Sequence, residues 1–241
     1  MPNSGAFLTW HGQEHEYRYW NMLRSAFSGV FVFVPISPSY PKAYKSWVPF
    51  GANEVDIVVN ANVLTYLAIT DQLDNSLGKK GSLLVINELL KRERWENTAI
   101  YYPNSYHIHY AVARAYSAGL TELAPSCKII LEHLVKSQQV DGSFTSDLWL
   151  NNGDLIQSTT YSLHALLDLR ARGMNIPKQS INKAIEFLLS KAIFENNKVR
   201  WNGGIYFSGG TFVRGIMVWK SDAYTTAMIA KCLQKWMIYE R

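Results

Sequence analysis

Three aspartates hold matching places in the sequence. Asp56, Asp154 and Asp222 each stand at or near the start of a long run of apolar and small residues. A carboxylate there has two uses. It can cap a helix by accepting hydrogen bonds from the first free backbone N–H groups, an effect of about 0.5–2 kcal/mol. Gathered with its counterparts at one end of a helical assembly, it can act as a catalytic acid or join a metal or diphosphate site. Asp56 is the leading catalytic candidate, because Asn60 follows one helical turn later on the same face.

Two histidines occur in Tyr106-His107-Ile108-His109-Tyr110. Residues two apart on a helix point to opposite faces, so His107 and His109 do not share a metal there. One is expected to face a cavity and the other a neighbouring helix. The plainer reading of both is a buried, hydrogen-bonded imidazole without a ligand. Tyr106, Tyr110, Tyr161, Trp219 and Tyr224 lie on or beside the same apolar runs. They either line an aromatic cavity or pack an ordinary core. Asn60 and Asn62 inside an apolar run need hydrogen-bond partners, from another helix or from a ligand. Arg114, among alanines, needs a carboxylate.

These residues are positioned by a repeat. The runs beginning near 56, 105, 154 and 222 are similar and lie about 49, 49 and 68 residues apart, a period that suits an array of helical pairs. Each run is apolar or small almost all the way round, so each reads as a helix buried on every face. Between them, Ser82 to Arg92, Leu123 to Ser137 and Ser180 to Lys191 carry apolar residues at helical spacing and charges opposite. In the last of these Ile181, Ile185, Leu188 and Leu189 form the stripe.

A ring of buried inner helices inside amphipathic outer ones satisfies this alternation. The expected fold is therefore all-α, an α/α toroid, partial or complete, of about four helical-pair repeats in a single domain over 1–241. An open solenoid is the competitor. It would leave both helices of each pair amphipathic.

Two stretches interrupt the pattern, 28–52 and 203–218. Both alternate enough for short hairpins, and both precede inner helices, so both fall at one end of the ring. Long loops in that position are often lids or binding loops.

The turns between outer and inner helices recur as well. Gln139-Val140-Asp141-Gly142-Ser143-Phe144 resembles the QW motif of squalene–hopene and oxidosqualene cyclases, whose α/α barrel protein prenyltransferases share. Trp95-Glu96-Asn97, Trp201-Asn202-Gly203-Gly204 and the N-terminal Gly5 to Trp10 resemble degraded copies. The resemblance implies a central hydrophobic cavity that cyclises or binds a polyprenyl chain. It implies a protonated acid that attacks an alkene or epoxide, with aromatic rings that stabilise the resulting carbocations. The family's Asp-x-Asp-Asp acid motif and the prenyltransferase zinc set are both missing from the sequence. A non-catalytic toroid that binds a lipid or a protein partner is thus the alternative. A carbohydrate enzyme on an (α/α) barrel, with paired carboxylates across a cleft, ranks behind both.

Composition agrees with a globular chain: 241 residues, 48% hydrophobic and 18% charged. The net charge of +5 is scattered, which argues against nucleic-acid binding and allows only weak, peripheral attraction to an anionic membrane. Cys127 and Cys232 have no partner motif and read as buried free thiols, which with the lack of a signal segment suggests the cytoplasm. No metal site or cofactor is expected. About four inner helices are fewer than a closed family barrel holds. A homodimer or a companion segment is therefore expected to complete the ring.

Overall fold

The computed structural model describes residues 5–7, 55–92, 102–145, 154–209 and 217–239. Among these residues the chain is mostly helical with a few short antiparallel strands. Helices α1 (Ile57–Ile69), α3 (Tyr106–Ser117), α5 (Leu155–Ala171) and α7 (Asp222–Tyr239) begin within about two residues of the expected inner starts. The amphipathic runs form α2 (Lys79–Leu90), α4 (Ala124–Ser137, led in by a 3-10 turn at Thr121–Leu123) and α6 (Lys178–Ser190). Strands β1 (Ile193–Glu195) and β2 (Lys198–Arg200) pair antiparallel, as do β3 (Ile205–Gly209) and β4 (Met217–Lys220).

The inner helices form a row. α3 packs against α1 on one side and α5 on the other, and α5 packs next against α7. Outside the row, α2 touches α1 and α4, α4 touches α3 and α5, and α6 backs α5. Side-chain bonds set the direction of the row. Near the helix starts, Asn104 reaches Asp154, and the Thr225 hydroxyl donates to Gln157. Near the ends, Arg172 donates to the Ser117 carbonyl at 2.9 Å, and Lys235 pairs with Asp168 at 2.6 Å. α3, α5 and α7 therefore run parallel.

The core lies between the row and the outer helices. Ile108, Ala111, Val112, Leu163, Leu166, Ile130, Leu134 and Leu188 are all fully buried there. Burying side chains of this size contributes roughly 1.5–3 kcal/mol each for the larger ones. α5 is buried without a break from Gln157 to Leu169, as its all-round pattern requires.

The end helices differ from that expectation. α1 exposes Tyr66 and Ile69, and α7 buries only Thr225, Ile229 and Cys232. Each has an inner neighbour on one side alone among the described residues. In α6 the buried residues are Ile181, Ala184, Ile185, Phe187 and Leu188, while Leu189 is half exposed. It sits about 100° around the helix from Leu188.

The recurring turns do the same work three times. The Phe7 N–H donates to Asn60 at 3.0 Å, the Phe144 N–H to Thr159 at 3.1 Å, and the Trp201 N–H to Thr226 at 3.1 Å. In each case an aromatic turn residue is tied to a polar side chain in the first turn or so of the inner helix. In the turn before α5, Gly142 has φ +88°, and its missing Cβ leaves room for the Lys183 backbone of α6. Gln138 clamps this turn from outside, donating to the Gly142 carbonyl at 3.1 Å and the Ser180 carbonyl at 2.8 Å.

The stretch 203–218 forms the β3–β4 hairpin within its described part. The stretch 28–52 and the turn at Trp95 lie outside the described residues. The β1–β2 hairpin was not anticipated. Its turn is Asn196-Asn197 with φ +49° and +59°, the left-handed pair that a two-residue hairpin requires.

Candidate functional site

The three aspartates do three different things. Asp56 caps α1: its Oδ1 accepts from the Val58 N–H at 2.7 Å and the Val59 N–H at 3.0 Å. Asp222 is half exposed; it accepts from the Gly203 N–H at 2.6 Å and stands 3.6 Å from the Arg200 guanidinium. The cap of α7 comes instead from Ser221, whose hydroxyl accepts from the Tyr224 N–H. Asp154 holds the cap position of α5 but makes no capping bond.

Asp154 is buried. Its Oδ2 accepts from the Asn104 amide at 2.6 Å, and the same amide donates to Ser158 at 2.9 Å. The Asn104 oxygen accepts from the Tyr106 N–H at 3.0 Å, which fixes the orientation of the amide. Oδ1 faces Gly204 and the Ile205 backbone without a close hydrogen bond. A methyl group at Gly204 would collide with it. Loss of water dominates its electrostatics. Burial pushes the carboxyl up to about 7, against the bond from Asn104, the Ile205 amide and the Lys220 charge.

Beside it runs a connected series of rings. His107 stacks on Tyr161 at 4.5 Å and meets the Tyr102 edge at 4.4 Å. Tyr110 stacks on Tyr161 at 5.9 Å and lies 5.0 Å from His164. The Tyr161 and Tyr224 hydroxyls are 3.2 Å apart, and Tyr206 lies against Tyr224 at 4.7 Å. Tyr102 leads out through Phe207, at 6.0 Å, to the exposed Trp219, at 5.2 Å from Phe207. Helices α3, α5 and α7 and the β3–β4 hairpin all contribute. Burial holds His107, His164, Tyr102, Tyr110, Tyr161 and Tyr224 uncharged near neutrality. Burial lowers His107 and His164 to about 3 and raises Tyr102 to about 12. It also raises Tyr161, Tyr110 and Tyr224. Asp154 is thus the member of this group poised to exchange a proton near pH 7.

The remaining residues fall elsewhere. Tyr106 and His109 point away from this series, toward His133 and α4: Tyr106 packs edge-on against His109 at 4.9 Å and Phe144 at 5.5 Å, and His109 lies 5.0 Å from His133. The two histidines thus face different neighbours, as helical spacing dictates. Asn60 joins three segments. Its amide donates to the Phe7 and Asp56 carbonyls, and its oxygen accepts from the Phe7 N–H and the Ser82 hydroxyl.

Asn104, Ser158 and Asp168 were missed from sequence. Asp168 carried a signal, an acid in the otherwise apolar Leu166-Leu167-Asp168-Leu169. Asn104 carried none beyond its place before a helix.

Among the described residues no three His, Cys, Asp or Glu side chains converge to hold a metal, and no helix is long and apolar enough to cross a membrane. Cys127 and Cys232 are buried free thiols. No family model matches the chain, and neither a curated protein nor a solved structure matches it.

Proposed function

We propose that the chain is an arc of a terpenoid-cyclase-like α/α toroid, and that the rings between α3, α5 and α7 receive a hydrophobic, isoprenoid-like chain. The observation that carries this reading is Asp154. It is a buried carboxyl, pushed up to about 7, at the head of a connected series of uncharged rings. A protonated carboxyl can transfer its proton to an alkene carbon. The alkene electron pair forms the new C–H bond, and the adjacent carbon is left cationic. Ring faces of Tyr161, Tyr110 and Tyr224 would stabilise that charge in a site without water. The Asp154 carboxylate then takes a proton from a carbon next to the cyclised cation, whose C–H electron pair forms the product alkene, and the acid returns to its starting state.

Within this reading Asp154 replaces Asp56 as the acid. The Asp56 Oδ1 accepts from two backbone N–H groups, as a helix cap does.

The test is turnover of labelled polyprenyl hydrocarbons and alcohols by the purified protein. Cyclised product with wild type and Asp56→Asn, lost in Asp154→Asn, supports the reading. No product with any variant, or equal product with Asp154→Asn, removes it.

The second reading is a toroid without catalysis, which binds a lipid or a protein partner. It is favoured by the open faces of α1 and α7, where Tyr66 is 57% exposed and Ile238 is 62% exposed. A second copy or a companion segment would close the ring there. Native mass spectrometry separates these outcomes by mass: a bound lipid, a dimer, or the chain alone.

A further inference from the structure

We propose that the β3–β4 hairpin is a lid over Asp154, which lifts from its root at Gly203 and Gly204 to let a substrate reach the Oδ1 oxygen, with Tyr206 as its latch. The need for such a lid rests on the acid role proposed for Asp154.

The carboxyl's own bonds decide which oxygen reacts. The Asn104 oxygen accepts from the Tyr106 N–H, so its amide nitrogen is the group that meets Asp154. An amide nitrogen only donates, so Oδ2 is an acceptor and a proton on the carboxyl sits on Oδ1. Oδ1 has no close hydrogen bond. What lies against it is the hairpin root: a Cβ at Gly204 would strike both Oδ1 and the Gln157 side chain. Asp154 is 5% exposed, so an alkene carbon cannot come within reach of Oδ1 while this backbone is in place. The other walls are α3 and α5, whose buried residues belong to the core. The hairpin is the wall that can move.

Its construction suits a hinged motion. Among the described residues its two strands pair with each other and with no other strand. A two-stranded ribbon is marginal on its own in water, so its packing on the helices holds it in place. At the root, the Gly203 N–H donates to Asp222 at 2.6 Å and the Gly204 N–H to the Thr225 hydroxyl at 3.3 Å. Just before the root, Trp201 is anchored to Thr226 and Leu188, and just after β4, Ser221 caps α7. Both ends of the hairpin are therefore fixed. On the β3 side the two successive glycines give the backbone angles room to change. Farther out the contacts are of ring against ring. Ile205 pairs with Lys220 and Phe207 with Trp219, which leaves Tyr206 as the extra residue of a bulge. The Tyr206 ring lies 4.7 Å from Tyr224, and the Phe207 ring 6.0 Å from Tyr102. Ring contacts of this size are weak enough to release and re-form in a local opening.

The test labels carboxyls of the intact chain with a water-soluble carbodiimide and a small amine in mildly acidic buffer, and maps the adducts by peptide mass spectrometry. In wild type Asp154 should react more slowly than the half-exposed Asp222. Tyr206→Ala removes the ring from Tyr224 and should speed labelling of Asp154 about tenfold, the size of one aromatic contact. Asp168, as buried as Asp154 but at the other end of α5, should keep its slow rate in both proteins. Phe194→Ala, at an exposed position of the β1–β2 hairpin, should change neither. Hydrogen exchange of wild type gives a second readout. Amides of β3 should exchange faster than those of α5 and with little dependence on denaturant, the mark of a local opening. Unchanged labelling of Asp154 in Tyr206→Ala, equal acceleration at Asp154 and Asp168, or exchange of β3 only together with α5 would each overturn the lid. Both readouts are taken without substrate. A chain that opens but turns nothing over therefore keeps the lid and loses the acid role of Asp154.

Discussion

Asn104 and Asp154 are 50 residues apart in the chain, and their side chains meet at 2.6 Å. The bond joins the starts of α3 and α5. It also favours the ionised form of an acid that burial strongly disfavours. Asn104→Ala removes that help, so the Asp154 carboxyl should titrate above 7 in the variant. Carbon-detected NMR of the aspartate carboxyls reads the change directly; an unmoved or lowered titration point would contradict this account.

Asp154 also couples folding to pH. Its carboxyl is raised in the fold, from 3.8 to about 7, so the folded chain binds its proton more tightly than the unfolded chain does. Its contribution to stability is complete below about pH 4 and is lost as pH rises toward 7, a change of a few kcal/mol. Asp154→Asn does not ionise. Denaturant unfolding at several pH values should therefore show the variant gaining on wild type between pH 4 and 7, and a constant difference above 7.

The buried histidines act with the opposite sign. His107 and His164 are lowered from 6.5 to about 3, so the unfolded chain takes up protons that the folded chain refuses. Stability falls as pH drops from 6.5 toward 3, by about 1.4 kcal/mol per pH unit for each residue across that window. His107→Phe keeps the ring stack on Tyr161 and should reduce the slope by one proton. Acid unfolding of the two proteins, followed by circular dichroism, measures that difference.

Gly142 and Gly173 have nearly the same backbone angle, φ +88° and +80°, in different surroundings. A Cβ at Gly142 meets the Lys183 backbone, and one at Gly173 meets nothing within 4 Å. Gly173→Ala should cost only the strain of the left-handed backbone, about 1 kcal/mol. Gly142→Ala should cost clearly more, because a backbone cannot rotate aside as a side chain can. Paired urea unfolding gives the comparison; similar values for both would show that contact with α6 is unimportant.

Trp201 is tied to its surroundings twice, through its backbone N–H to Thr226 and its indole N–H to the Leu188 carbonyl at 2.6 Å. Trp201→Phe keeps most of the packing and loses the indole bond, while the Leu188 carbonyl keeps its bond from the Lys191 N–H, so the cost should be about 0.5–1.5 kcal/mol. Trp201→Ala should cost about 3–5 kcal/mol. Thermal unfolding of the two variants should rank them in that order.

The helices were legible in the sequence because their burial is periodic. Runs that are apolar all round became the inner row, and striped runs became the outer helices. Leu189 was misread because two adjacent leucines both fit a broad stripe, and only packing on α5 decides which is covered. The recurring turns were legible through Gly142 and Phe144. Gln138, which does the clamping, was hidden behind its neighbour Gln139, since both fit the same short pattern. The candidate site was only partly legible. Asp154, Tyr110, Tyr161 and Tyr224 were in view, but three aspartates at equivalent places looked alike. What separates them is whether each oxygen meets a backbone N–H, an arginine or an asparagine from another helix. Those partners are up to 50 residues away in sequence, and no local pattern encodes them.

The unbroken burial of α5 has a consequence for how the molecule comes apart. α5 lies against α3, α4, α6 and α7, so none of these can leave without uncovering it. α1 and α7, each with a single inner neighbour among the described residues, can detach at smaller cost. Opening should therefore proceed from the two ends of the row toward its middle. Amides of α5 should then exchange with solvent only when the whole chain unfolds, and those of α7 should fray first.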